Sequence, residues 1–132
     1  MVDRFQRLPE EIEAAAHEII GAAIEVHRHL GPGLLESIYE KAMVYEMRLR
    51  GLTVREQVIV PVVYKTLVIE AQRLDLLVEP GIVVELKAVD ALLPIHEAQV
   101  ISYLKSTRLR LGLLINFKVQ LLSNGGLKRI IL

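Results

Sequence analysis

Arg73-Leu74-Asp75-Leu76-Leu77-Val78, then Glu79-Pro80-Gly81-Ile82, then Val83-Val84-Glu85-Leu86-Lys87 is the stretch on which the fold turns. Its period is two and it is rich in branched apolar residues, so it reads as two strands joined by a Pro-Gly turn. In the second strand Glu85 and Lys87 point to one face, while Val84, Leu86 and Ala88 point to the other. One side packs and the other displays charge. The position of Asp75 depends on loop parity. A two-residue Pro80-Gly81 loop pairs Asp75 with Leu86, on the wrong side. A three-residue Glu79-Pro80-Gly81 loop, with Gly81 left-handed in a bulge, pairs it with Glu85. The odd loop is the expectation.

Outward from this pair, strands are expected over about 53–60, 62–69, 72–79 and 82–89, with Pro61 as a kink between the first two. Upstream, Ile12, Ala16, Ile19, Ala23, Val26 and Leu30 recur at spacings of three and four, which predicts a helix from Pro9 to Leu30. Gly31-Pro32-Gly33 stops it. A second helix spans Leu34 to Arg50, with a main stripe of Leu35, Ile38, Ala42, Tyr45 and Leu49. A second stripe carries Glu36, Tyr39, Met43 and Met47. Glu36 thus shares a partly apolar face, where a carboxylate needs a base, a hydrogen-bond network or a metal. Downstream come a helix from Pro94 to Thr107 and two apolar segments, Leu111–Asn116 and Leu127–Leu132, separated by Ser123-Asn124-Gly125-Gly126. The order α-α-β-β-β-β-α-β-β indicates an α/β (α+β) fold, a central mixed sheet flanked by helices, in one domain over 1–132.

The 132 residues carry 16 Lys+Arg against 16 Asp+Glu, no Cys, and 52% hydrophobic residues. Zero Cys excludes a disulfide scaffold, thiolate metal sites and Cys nucleophiles. No global positive field announces a nucleic-acid partner. Long apolar stretches are broken by charge before they reach spanning length, and the start lacks the basic-then-apolar layout of a signal peptide, so a cytoplasmic protein without membrane contact is expected.

Two carboxylates facing each other across a ladder repel unless a positive group intervenes. Lys87 supplies one charge and a hard divalent ion such as Mg²⁺ more, since magnesium favours carboxylate, water and phosphate oxygens. A solvated salt-bridge face is the alternative reading of the same spacing. On the next helix, His96, Gln99 and Tyr103 share a side at spacings of three and four, placing an amide and a phenol together. His27 and His29 cannot share a helix face, and His17, His27 and His29 are expected at the surface. Arg48, Arg50 and Arg55 form one basic group and Lys105, Arg108 and Arg110 another, the candidates for phosphate contact.

Gly33-Leu34-Leu35-Glu36-Ser37-Ile38-Tyr39 matches the defining positions of the GxxExxY protein family, and the chain from His17 to Leu132 resembles that family. Further resembling segments are Arg73–Val78, Val84–Val89, His96-Glu97-Ala98-Gln99 and Leu111–Phe117. That family is similar to the PD-(D/E)xK nuclease superfamily, a restriction-endonuclease-like fold. The resemblance implies metal binding by Asp75, Glu85 and the Leu86 carbonyl, with Glu36 as an additional ligand to the metal or its water. It implies Lys87 as the catalytic lysine, with Gln99 and Tyr103 supporting the site. Tyr39, Arg73 and His96 are candidates for substrate contact. One departure is Ala71-Gln72, where the family often has a Gly and an aromatic.

The expectation is a Mg²⁺- or Mn²⁺-dependent hydrolase cleaving phosphodiester bonds of nucleic acid, DNA first. Its rival is a weak or inactive nuclease-like fold that binds nucleic acid or protein. Balanced charge and sparse aromatics favour the rival. The apolar end Lys128–Leu132 suggests an edge strand that pairs across a homodimer.

Overall fold

Two helices, three strands, a helix and two strands follow one another through residues 8–132, the part of the chain that the computed structural model describes. Residues 1–7, which belong to the stretch bearing on a targeting signal, lie outside it. The elements are α1 (Glu10–Leu30), α2 (Glu36–Leu49), β1 (Val54–Tyr64), β2 (Leu67–Val78), β3 (Ile82–Lys87), α3 (Pro94–Thr107), β4 (Leu111–Asn116) and β5 (Leu127–Ile131). The strands form one sheet in the order β1-β2-β3-β4-β5, antiparallel except for the β3–β4 pair, which α3 joins by a crossover. No helix among the described residues is long and apolar enough to cross a membrane.

Three strands, not four, precede α3. Pro61 does not separate two strands but sits inside β1, where the register with β2 shifts between Val60 and Val62. A proline lacks the ladder donor, and an edge strand with a bulge tolerates that. The hairpin turns instead at Lys65-Thr66, with Lys65 at φ +56°.

α1 packs through Ala16, Ile19, Ala23 and Val26, as its periodicity predicts, with Glu10, Glu11 and Glu13 at its positive end. In α2 the stripes exchange roles. Tyr39, Met43 and Met47 are fully buried, whereas Leu35, Ile38, Tyr45 and Leu49 are exposed. Amphipathic spacing identifies both stripes, and the docking of α2 against α1 and the sheet selects the one with the long, pliable methionines. His27 also departs from its expected exposure: it is buried at the end of α1, where Nε2 lies 2.7 Å from the Val119 carbonyl oxygen. His17 and His29 are exposed, and His29 pairs with Glu25.

The sheet is covered on both sides. Leu76, Val78, Ile82, Val84, Leu86, Leu113 and Ile115 pack with α1 and α2, while Leu74, Val83 and Leu114 pack with Val100, Tyr103 and Leu104 of α3. Burial on both faces is why β3 and β4 read as nearly unbroken apolar runs. α3 lies so close to β4 that a Cβ at Gly112 would come within 2.4 Å of Val100 Cγ1.

Candidate active site

The loop between β2 and β3 has three residues. Val78 pairs with Ile82, Leu77 with Val83 and Leu76 with Val84, so the register sets Asp75 opposite Glu85. Gly81 makes the turn possible at φ +149°, a conformation that side-chain-bearing residues rarely adopt. Past Leu76 the ladder stops, and carboxylates take over its hydrogen bonds. The Asp75 N–H donates to Glu85 Oε1 at 2.7 Å, and the Leu86 N–H donates to Asp75 Oδ2 at 2.9 Å. Each acid is therefore oriented by the other's strand.

β2 also changes faces here. Leu76 and Val78 belong to the α1/α2 side, but Leu74 belongs to the α3 side. On β1, Gln57 stands opposite this point at φ +49° and drops out of the pairing. Its amide donates to Glu40 Oε1 at 2.7 Å.

The charged face of β3 is not solvated. Glu85 is only 2% exposed, because α3 covers it. Burial pushes its pKa up to about 8, with the Asp75 charge adding to the rise and Lys87 opposing it. A surface salt-bridge face would not produce such a group. Lys87, half-buried, donates from Nζ to Gln99 Oε1 at 3.2 Å. The Gln99 amide faces the Tyr103 oxygen and helps to lower its pKa, and the Tyr103 hydroxyl donates to the Arg73 carbonyl at 3.0 Å. Tyr103 is buried, and burial followed by the nearby Glu85 and Asp75 charges raises its pKa to about 12. It remains a neutral phenol that anchors Gln99, and Gln99 anchors Lys87.

The remaining candidates divide. Glu36 heads α2 at the rim of the site, exposed rather than on a buried face. Partial desolvation and the Asp75 charge raise its pKa, while Lys87 lowers it. Arg73 is exposed on β2, and its carbonyl serves Tyr103. His96 turns inward on its own helix: Nδ1 accepts the Leu93 N–H at 2.9 Å. Tyr39 does not reach the site. It is fully buried, stacks on Phe117 at 4.5 Å, and its hydroxyl donates to the Gly31 carbonyl and accepts the Leu34 N–H. Its role is to hold the Gly31–Leu34 turn that sets the start of α2, and hence Glu36. Of the basic groups, Arg48 pairs with Glu56, and Arg50 with Glu46 and Glu18.

Sequence reasoning missed Glu40. It lies one turn after Glu36, and burial raises its pKa, as does the Asp75 charge, while its bond from Gln57 lowers it. The signal was there in the i, i+4 spacing from Glu36. Gln57 carried none, since nothing local announces its left-handed backbone.

Asp75 and Glu85 present hard oxygen donors side by side, with the Lys87 charge acting on Glu85, a set that fits a divalent cation in kind. Among the described residues no three His, Cys, Asp or Glu side chains converge closely enough to form a ready-made cage. The fit is that of two carboxylates that leave room for water and substrate oxygens.

No curated protein and no solved structure matches this chain. A model of the PD-(D/E)XK nuclease superfamily matches residues 13–130, nearly the whole length, and spans every side chain of the site. With an Asp and a Glu-x-Lys meeting on adjacent strands of a mixed sheet, and that match across them, the chain belongs to the PD-(D/E)XK nuclease superfamily.

Proposed function

We propose that the protein is a Mg²⁺- or Mn²⁺-dependent nuclease hydrolysing phosphodiester bonds of DNA, with Asp75, Glu85, Leu86 and Lys87 as its reactive set. Gly33, Glu36 and Tyr39 support its assignment to the GxxExxY branch. The observation that carries the reading is Glu85: a carboxyl buried against a second carboxylate, held near neutrality and beside an anchored lysine. Asp75, Glu85 and the Leu86 carbonyl would hold the cation, with Glu36 and Glu40 at the rim. A bound divalent ion lowers the pKa of water and stabilises charge on phosphate oxygens.

The chain's own residues do the rest. The paired carboxylates orient each other through backbone N–H groups, so the site is set before substrate arrives. Lys87, fixed by the Gln99 carbonyl, directs a positive charge at the attacked phosphate and keeps the attacking water in line. Tyr103 and the Arg73 carbonyl prevent Gln99 from rotating away.

The test is cleavage of labelled single-stranded, duplex and branched DNA with Mg²⁺ or Mn²⁺, by wild type, Asp75→Asn and Lys87→Ala. Metal-dependent cleavage lost in both variants supports the reading. Equal activity in all three assigns it to a contaminant and overturns it.

A second reading, a binding or assembly module that pairs as a homodimer, has its own observation. Leu35 just before α2, and Tyr45 and Leu49 on it, are exposed, and β5 is a sheet edge. Light scattering that gives a monomer at micromolar concentration removes the dimer.

A further inference from the structure

Beside Gln99 a cavity of about 350 Å³ opens between β2 and the first turns of α3. Gln72, Ile95, His96, Ala98 and Gln99 line it. Its character differs from that of the acidic centre, because none of these side chains bears a full charge when His96 is neutral. Ile95 is 67% exposed and Ala98 is exposed, so the walls offer flat apolar surface to the solvent.

Two of its groups have settled hydrogen-bond partners. The Gln99 carbonyl oxygen already accepts from Lys87, and its amide faces Tyr103. His96 Nδ1 accepts from Leu93, so the neutral ring carries its proton on Nε2, a donor turned away from the helix backbone. Gln72 is the exception. Its Oε1 is buried and has no hydrogen-bond partner, the one such side-chain atom among the described residues. A buried acceptor left unpaired is costly, and a small rotation of the amide toward the cavity lets an incoming donor relieve it.

Apolar walls, one unsatisfied acceptor and one outward donor are what a flat heteroaromatic ring with alternating N–H and C=O or ring-nitrogen groups requires. We infer that this cavity binds a single unstacked nucleobase next to the phosphate held at Lys87, with the base giving an N–H to Gln72 Oε1 and accepting from His96 Nε2. The inference rests on the nuclease reading above and deepens it. A base can enter only if it leaves its stack, so the substrate is a single strand or a frayed end rather than an intact duplex. Gln99 is the mechanical link: the residue that walls the base cavity is also the one that holds Lys87.

The experiment compares fluorescein-labelled oligo(dT) with an abasic deoxyribose-phosphate oligomer of the same length, by anisotropy in Ca²⁺ buffer. Backbone charge is equal, so the difference reports the base alone. Wild type is expected to bind the base-bearing strand about tenfold more tightly, the scale of one or two hydrogen bonds with partial stacking. Gln72→Leu, which keeps the size but removes the acceptor, and Ala98→Phe, which fills the cavity from an exposed position, should each shrink that gap to about twofold or less. Both variants leave the carboxylates and Lys87 in place. A gap that persists in both variants, or no gap in wild type while metal-dependent cleavage is present, overturns the cavity and spares the nuclease. No binding of either oligomer and no cleavage overturns both.

Discussion

β3 and the outer half of the β1–β2 hairpin have similar apolar content and opposite fates. From Ile82 to Leu86 every residue is buried, including Glu85. In the hairpin Val63, Tyr64, Leu67 and Val68 are each more than half exposed. β3 is central, with a strand on each side and helices over both faces. The hairpin runs out beyond α2 and α3 along the edge of the sheet. Branched apolar residues make either segment a strand, but only the central position removes water. That is why Glu70 on the hairpin faces solvent, while in β3 burial holds Glu85 near neutrality.

The largest consequence is catalytic. Lys87→Ala should lower kcat/KM for DNA cleavage by about a hundredfold or more, because its charge acts where water is scarce, whereas Lys65→Ala at the hairpin turn should leave it unchanged. Steady-state kinetics check the pair. Equal losses would break the comparison.

Next comes stability. Leu86→Ala removes a fully buried side chain between β3 and α1/α2 and should cost about 2–5 kcal/mol, while Val63→Ala should stay within about 0.5 kcal/mol. Urea titration measures both. The two faces of α2 repeat the contrast on a smaller scale, with Met43→Ala costly and Leu49→Ala nearly silent.

The Glu85 proton gives a third test. Its folded pKa, about 8, lies above the ordinary 4.5, so the folded state favours the protonated acid. The associated stability is present in full below pH 4.5 and declines as pH rises through 8. Without metal, melting temperature should therefore fall across this window. Glu85→Gln, neutral throughout, should flatten the decline. Mg²⁺ should raise the wild-type melting temperature most at the alkaline end, and a flat wild-type profile would contradict the buried pair.

The smallest expected effect belongs to Gln99→Ala. Lys87 stays but loses its anchor, so kcat should drop by about tenfold. A drop no larger than that of Lys65→Ala would show that Lys87 positions itself.

Local pattern alone determined α1, the bounds of α3 at Pro94 and Thr107 and the closing strands, and it narrowed the position of Asp75 to two loop parities, between which the register decided. Each rests on a short-range rule: helical spacing, proline at a first turn, or the parity of a loop. Spacing brought Glu85 and Lys87 forward as one pair in a strand and Gln99 and Tyr103 as another on a helix, and the family resemblance joined the two pairs. Tertiary structure decided the rest. It chose Met43 over Tyr45 as the core face of α2, absorbed Pro61 into an edge strand, buried His27 and turned Tyr39 into a loop anchor. It also brought Glu40 and Gln57 to the acidic rim and made the face of Glu85 a dry one. Periodicity states which residues share a side, but whether that side meets water or another layer depends on elements distant in the chain. The chemistry of this site depends on that second fact, because Glu85 acquires its raised pKa, and Lys87 its hydrogen-bonded anchor, where the helix covers the strand.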